Sequence, residues 1–165
     1  MTVANLESGR RLSATVIDRR YIMRILAIDY GSARIGLALS DPTGTLARPL
    51  PFLPAKADGK LAPEIARLAE KEQAGLILLG LPRHMNGSLG EAAEKVQAFA
   101  AVLRKATTIR IQLIDERLST VQASRQLQEA GKDSRMQRGR IDSEAASVLL
   151  QGYLDAAAFA PPSDA

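Results

Sequence analysis

The chain reads as an α/β domain, and three observations predict it. Ile25-Leu26-Ala27-Ile28 and Leu76-Ile77-Leu78-Leu79 are continuous apolar runs, the pattern of strands buried on both faces. Stretches with helical apolar spacing precede and follow the second run. A later segment, Ile109 to Leu113, alternates apolar and polar residues, the period of a strand with one wet face. Strands interleaved with helices of this kind build a layered α/β sheet.

Taken in order, the first run ends in Asp29-Tyr30-Gly31, and a turn at Gly31-Ser32 leads to a second strand from Ile35 to Ser40. Asp41-Pro42-Thr43-Gly44 is a turn in which proline pre-sets the backbone dihedral. Leu46 to Leu53 continues as a strand, and Pro49 and Pro51 assign it to a sheet edge, where a missing donor does less harm. Leu61, Ile65 and Leu68 mark one face of a helix between Lys60 and Gln73, with Gly75 as its stop. After the Leu76–Leu79 strand, Gly80-Leu81-Pro82 closes the element. Ser88, with Glu91 three residues later, predicts a capping box for a second helix whose stripe is Leu89, Ala93, Val96, Ala100 and Leu103. The alternating strand ends at Asp115-Glu116. Ser119 with Gln122 repeats the capping spacing and opens a helix that stops near Gly131. Lys132 to Arg140 is polar, basic and aperiodic, hence read as a mobile loop, and a last helix runs from about Asp142 to Ala158.

The 165 residues suit one folded domain, since single cores occupy about 100–200 residues. The expected organisation is a disordered basic extension over residues 1–22, a domain over 23–158 and a disordered tail over 159–165. The extension carries Arg10, Arg11, Arg19 and Arg20 without an apolar run, so it is not a secretory signal, and Met23 is an alternative initiator. A net charge of +4 permits a polyanionic partner. Aromatic residues at 4% argue against a surface that binds bases mainly by stacking. The absence of cysteine excludes disulfides and thiolate metal sites. No stretch approaches the roughly 20 apolar residues that cross a bilayer, so the expected location is the cytoplasm, with no membrane partner.

Three acids distant in sequence stand at the ends of elements: Asp29 in AIDYG, Glu116 in LIDERLS and Asp142 in RIDSEAA. A carboxylate at the C-terminal end of a parallel strand faces the crevice where open α/β sheets bind ligands. Gathered carboxylates repel one another and take up protons unless a cation intervenes. Oxygen-only donors favour hard ions, so Mg2+ or Mn2+ is the expected guest. Such ions clamp both oxygens of a phosphodiester in two-metal sites. Each acid also has an ordinary structural explanation: a turn residue at Asp29, a solvated partner of Arg117 at Glu116, an N-cap at Asp142.

The segments IDYGSARIGLALSDP, GLPRHMNGS, DERLS and GRIDSEAASVLLQGYLD resemble the YqgF family, over Arg24 to about Asp155. That family is described as nucleases for the 5′ end of pre-16S ribosomal RNA and as Holliday-junction-resolvase-like. The resemblance implies a ribonuclease-H-like fold with a central five-stranded mixed sheet flanked by helices. It also implies Asp29, Glu116 and Asp142 as the catalytic, metal-holding triad of a divalent-metal-dependent nuclease in ribosome maturation. The extension before Met23 is outside the family pattern, and His84 stands in a variable place in the GLP-to-NGS loop.

Around the acids, Gly31 and Gly36 flank a hairpin whose amides suit a phosphate, with Arg34 between them, or serve turn geometry alone. Asn86 and Ser88 follow a central strand on the edge that carries Asp29 and are candidates for sugar or phosphate contacts. His84, the one histidine, is a candidate proton carrier or merely solvated. Arg117, Arg125, Lys132, Arg135, Arg138 and Arg140 bracket two of the acids, and Arg117, Arg138 and Arg140 are the candidates for neutralising phosphate. The candidate partners are structured RNA, as in pre-16S rRNA within a ribosome precursor, and branched DNA. The oligomeric state is open between monomer and homodimer; a junction resolvase needs a symmetric pair of sites. Two other functions fit less well. An ATPase of the actin and sugar-kinase type needs a second domain for which this chain is too short, and a non-catalytic nucleic-acid or ribosome-binding module has no use for clustered acids.

Overall fold

Both continuous apolar runs form the centre of a sheet, covered above and below by helices. The computed structural model describes residues 23–56, 58–84, 86–116 and 135–159, the side chains of 135–143 and 159 excepted. The strands are β1 (Arg24–Tyr30), β2 (Arg34–Ser40), β3 (Ala47–Pro54), β4 (Ala74–Leu81) and β5 (Arg110–Asp115). The helices are α1 (Leu61–Lys71), α2 (Glu91–Ala106) and α3 (Arg135–Phe159). The strand order is β3-β2-β1-β4-β5, antiparallel on the β3-β2-β1 side and parallel across β1-β4-β5. The sheet is therefore mixed, as the family resemblance implies, and the proline-bearing β3 and the alternating β5 occupy its two edges.

Alternate residues of each central strand serve opposite layers. Leu26, Ile28, Ile35, Leu37, Ile77 and Leu79 pack with α1 and α2, whereas Ile25, Ala27, Ala38 and Leu78 pack with Ala146, Leu150 and Leu154 of α3. Small residues on the α3 side, Ala27, Ala38, Ala145 and Ala146, let that helix lie close to the sheet. Its direction follows from the contacts. Leu154 meets the Ile25 end of β1, and Ala145 and Leu149 form a cluster with Ile114 near the end of β5. Going back along α3 thus approaches the C-terminal edge of the parallel strands. Gln151 fixes the helix laterally, accepting from the Ala47 amide and donating to the Thr45 carbonyl, both at 2.9 Å. The turn predicted at Asp41 is present: its carboxylate accepts from the Thr43 hydroxyl and from the Leu46 and Thr45 amides, bonds that hold its pKa below the ordinary value.

Several expectations need correction. α1 stops at Lys71, and Gln73, with φ of 57°, supplies the left-handed residue expected of Gly75, which lies within β4. Ser88 does not cap α2. Gly90 occupies that position without a side-chain bond, because the Ser88 hydroxyl and amide are both committed to Asn86 Oδ1. Leu89 lies ahead of α2 and is exposed, and Phe99 joins Ala93, Val96, Ala100 and Leu103 in the buried stripe. α3 starts at Arg135, not near Asp142, so Arg135 to Arg140 is helix rather than loop. Arg, Met and Gln are good helix formers, and the helix propagates through them without an apolar stripe. The expected helix from Ser119 to Gly131 falls outside the described residues, as do residues 1–22 and 160–165.

Candidate active site

Asp29 is the penultimate residue of β1 and is 2% exposed. It faces Gly36 across the antiparallel pair, and the β1–β4 register, in which Ile28 meets Leu79, carries it beside Gly80. Glu116 directly follows β5 and is 7% exposed. Gly80 pairs with Ile114 in the β4–β5 register, two residues ahead of Glu116. Strand alternation puts Asp29 on the face of Ile25 and Ala27, and Glu116 on that of Ile114, which is the α3 side.

Gly80 is what lets the two acids share this face. A Cβ placed there would stand 2.7 Å from Glu116 Oε1, 3.2 Å from its Cγ and 3.2 Å from Leu149 Cδ2. The Glu116 side chain therefore lies across the backbone of β4, in room that any larger residue would fill. A glycine inside a strand is a recognised mark of such close approach, and the LILLG sequence carries that signal. Burial raises the Glu116 pKa to about 7, with the neighbouring Asp115 charge adding to the effect. Asp115 belongs to the other face and pairs with Arg83, whose Nε lies 3.5 Å from Asp115 Oδ2.

Asp142 lies inside α3, three and four residues before Ala145 and Ala146 and seven before Leu149. Helical spacing sets it on the stripe that contacts the sheet, toward the edge that holds Asp29 and Glu116. Its side chain is outside the described residues. Among those that are described, no group of three His, Asp or Glu side chains forms a metal-holding cluster. Arg138 and Arg140 occupy the helix just before Asp142, whereas Arg117, Arg125 and Lys132 are outside the described residues.

Other candidates take definite positions. The Gly31 amide donates to the Arg34 carbonyl at 3.0 Å, and a Cβ on Gly31 would run into that oxygen, so turn geometry accounts for this glycine. The Arg34 guanidinium stands 5.4 Å from the centre of the Phe52 ring. The loop between β4 and α2 is tied to itself: Gly87 N–H donates to the His84 carbonyl at 2.8 Å and His84 N–H to the Ser88 carbonyl at 3.0 Å. Both loop bonds from Ser88 end on Asn86 Oδ1, so they leave the Asn86 amide donors unused. His84 is exposed, and its Nε2 lies against Gly90 at the start of α2. A separate cavity of about 380 Å³, lined by Met23, Ile25, Thr45, Tyr153 and Leu154, sits at the opposite end of β1 and has no part in the acidic pair.

With this geometry in place, the likeness to known proteins is informative. A relative named "Putative pre-16S rRNA nuclease", from Anaeromyxobacter sp. (strain Fw109-5), is 44% identical over 133 residues, 81% of this chain and 97% of the relative. A protein of the same name from Clostridium acetobutylicum is 40% identical over 133 residues, covering 81% and 98%. Among solved structures, Thermus thermophilus RuvC in complex with a Holliday junction substrate superimposes with a TM-score of 0.54 at 13% identity, over 84% of this chain and 97% of that one. That likeness shows the fold, which is the ribonuclease-H-like fold of resolvases. The family described as RuvX, Holliday junction resolvase, matches residues 23–156, nearly all of the described domain, and the chain belongs to it.

Proposed function

We propose that the protein is a divalent-metal-dependent nuclease that hydrolyses phosphodiester bonds in the cytoplasm and trims the 5′ end of the 16S ribosomal RNA precursor. One observation carries the reading: two buried carboxylates, Asp29 and Glu116, flank Gly80 on one face at the C-terminal edge of parallel strands. That edge is where open α/β sheets bind their ligands. The family and the names of the relatives support a nuclease, and the relatives' names favour RNA.

The residues fit a hard cation. The donors are carboxylate oxygens, and burial disfavours the ionised form of Glu116, so a bound cation would favour it. Asp29 and Glu116 would hold Mg2+ or Mn2+, with Asp142 of α3 as a third donor. Bound there, such an ion would supply Lewis acidity to the scissile phosphate. The chain's own residues bind and orient the substrate. Asn86 and Ser88 contact sugar and phosphate from the β4–α2 loop, and Arg117, Arg138 and Arg140 neutralise phosphates. The substrate is structured RNA within a ribosome precursor, and a monomer suffices for a single cut.

The test is single-turnover cleavage of a 5′-extended 16S precursor fragment and of a four-way DNA junction, with Mg2+ or Mn2+. The RNA is cut, and Asp29→Asn lowers the rate to background while its unfolding transition stays cooperative. Undiminished cleavage by Asp29→Asn would falsify the assignment. A second reading, branched DNA cut by a homodimer, is favoured by the description of the family as a Holliday junction resolvase. Preferential symmetric cutting of the junction would establish it. Binding of RNA with no cleavage of either substrate would leave only a binding module.

A further inference from the structure

One guanidinium joins two elements at the C-terminal edge of the sheet that carries the acidic pair, on the opposite face. Arg83 stands where the β4–α2 loop leaves the sheet, with its Nε 3.5 Å from Asp115 Oδ2 and its Nη1 donating to the Gly87 carbonyl at 3.1 Å. Asp115 is the last residue of β5 and immediately precedes Glu116. Gly87, with φ of 86°, is the pivot of the loop and is itself bonded back to His84. The loop's exposed polar residues, Asn86 and Ser88, flank that pivot.

The energy of the link does not explain its presence. The Arg83 side chain is 35% exposed, and ion pairs at such exposure contribute at most about 1 kcal/mol. The fold has two well-filled apolar layers and does not need it. What the link does fix is the distance between the loop and the strand end that carries Glu116. Lysine could not do the same, because it is a single point charge, whereas the guanidinium fork addresses two partners in different directions.

We propose that Arg83 is a positioning residue for the nuclease reaction. It ties the loop from Pro82 to Gly90 to the end of β5, so that Asn86 and Ser88 stand at a fixed place beside Glu116 and bind the RNA backbone next to the cleaved bond. This rests on the nuclease reading above. It adds that loop and acid form one rigid unit through Arg83, and that substrate binding rather than the chemical step depends on it.

The experiment compares Arg83→Gln and Arg83→Lys in the full chain. In an Asp29→Asn background, which binds without cutting, both variants lower affinity for the precursor fragment by about tenfold, the loss of about one well-placed hydrogen bond. In the cleaving protein KM rises in proportion and kcat stays within about threefold. Hydrogen exchange at the Gly87 and Ser88 amides speeds up in both variants, while the unfolding midpoint is unchanged. Wild-type affinity in Arg83→Lys would overturn the proposal, since charge alone would then suffice. So would a fall in kcat and unfolding midpoint with KM unchanged. Absence of cleavage by the unaltered protein would refute the nuclease reading instead, and the exchange rates, which need no activity, would still decide whether Arg83 clamps the loop.

Discussion

Replacing Glu116 by Gln should make the metal-free protein more stable at pH 8 while leaving it nearly unchanged at acid pH. The cause is burial. The folded carboxyl keeps its proton up to a pKa of about 7, whereas the unfolded chain loses it above the ordinary value of 4.5. Below 4.5 both states are protonated and nothing is gained or lost. Through the window from 4.5 to 7 the unfolded state binds fewer protons than the folded one, so stability falls as pH rises. Above 7 both are ionised and the loss is complete. The shift corresponds to about 3 kcal/mol, most of it falling between pH 5 and pH 8. Gln keeps the shape and loses the titration.

Urea unfolding of both proteins at half-unit pH steps, with chelator present, measures the effect directly. Groups that do not interact with Glu116 titrate alike in both proteins and cancel in the difference. The wild-type curve should fall relative to Glu116→Gln by about 2–3 kcal/mol from pH 5 to pH 8. Parallel curves over that range would refute the claim that Glu116 is ionised at a cost in this fold. A second arm replaces chelator with Mn2+ at pH 8. The cation binds the ionised folded form, so at a hundredfold excess over its dissociation constant it should restore about 2.7 kcal/mol to the wild type and much less to Glu116→Gln.

Two further substitutions separate the site from its scaffold. Gly80→Ala should abolish most cleavage with little change in unfolding midpoint, because its Cβ meets the movable end of Glu116 first, 2.7 Å from Oε1. Wild-type cleavage rates in this variant would show that Glu116 need not lie across β4. Gly31→Ala behaves in the opposite way: its Cβ runs into the backbone oxygen of Arg34, which cannot move aside, so the β1–β2 hairpin is strained by about 1–3 kcal/mol. Guanidinium denaturation reads that loss, and an unchanged midpoint would mean the turn relaxes freely.

The sheet was legible in the sequence because burial on two faces leaves an unmistakable record. Ile25 to Ile28 and Leu76 to Leu79 have no polar residue to alternate with, and runs this short bounded by Gly31 and by Gly75 and Gly80 suit a strand between two helical layers better than a buried helix. The edge positions were legible for the converse reason, through Pro49 and Pro51 in β3 and the alternation of β5. Helix ends were read less well, since they depend on which bonds win locally. Ser88 and Glu91 have capping-box spacing, but Asn86 captures the serine first. Arg135 to Arg140 has no apolar stripe, so periodicity could not reveal that α3 extends through it. Asp29 and Glu116 were picked out as candidates from their strand ends, and the fold buries both on one face beside Gly80. The places of Gly80 and Arg83 were not legible: the first appears only as a glycine ending an apolar run, and the partners of the second are 32 residues away and 4 residues away, a pairing that only the fold makes.

The position of Asp142 within α3, rather than at its start, changes how the third acid can reach the site. An N-cap residue would be set by its own helix end, whereas a residue inside the helix is set by where the whole helix docks. Docking is decided by Ala145, Ala146 and Leu149, and Leu149 Cδ2 lies 3.2 Å from the place a Gly80 Cβ would occupy. The missing side chain therefore makes room for two things at once, the Glu116 carboxylate and the helix that carries Asp142. Asp29 depends on neither, being fixed by the register of β1 between Gly36 and Gly80. One buried acid, Asp29, is thus held by strand pairing and the other, Glu116, lies over a glycine that also admits α3, so the central strand of the parallel half, which itself contributes no acid, sets both the room for Glu116 and the approach of the helix.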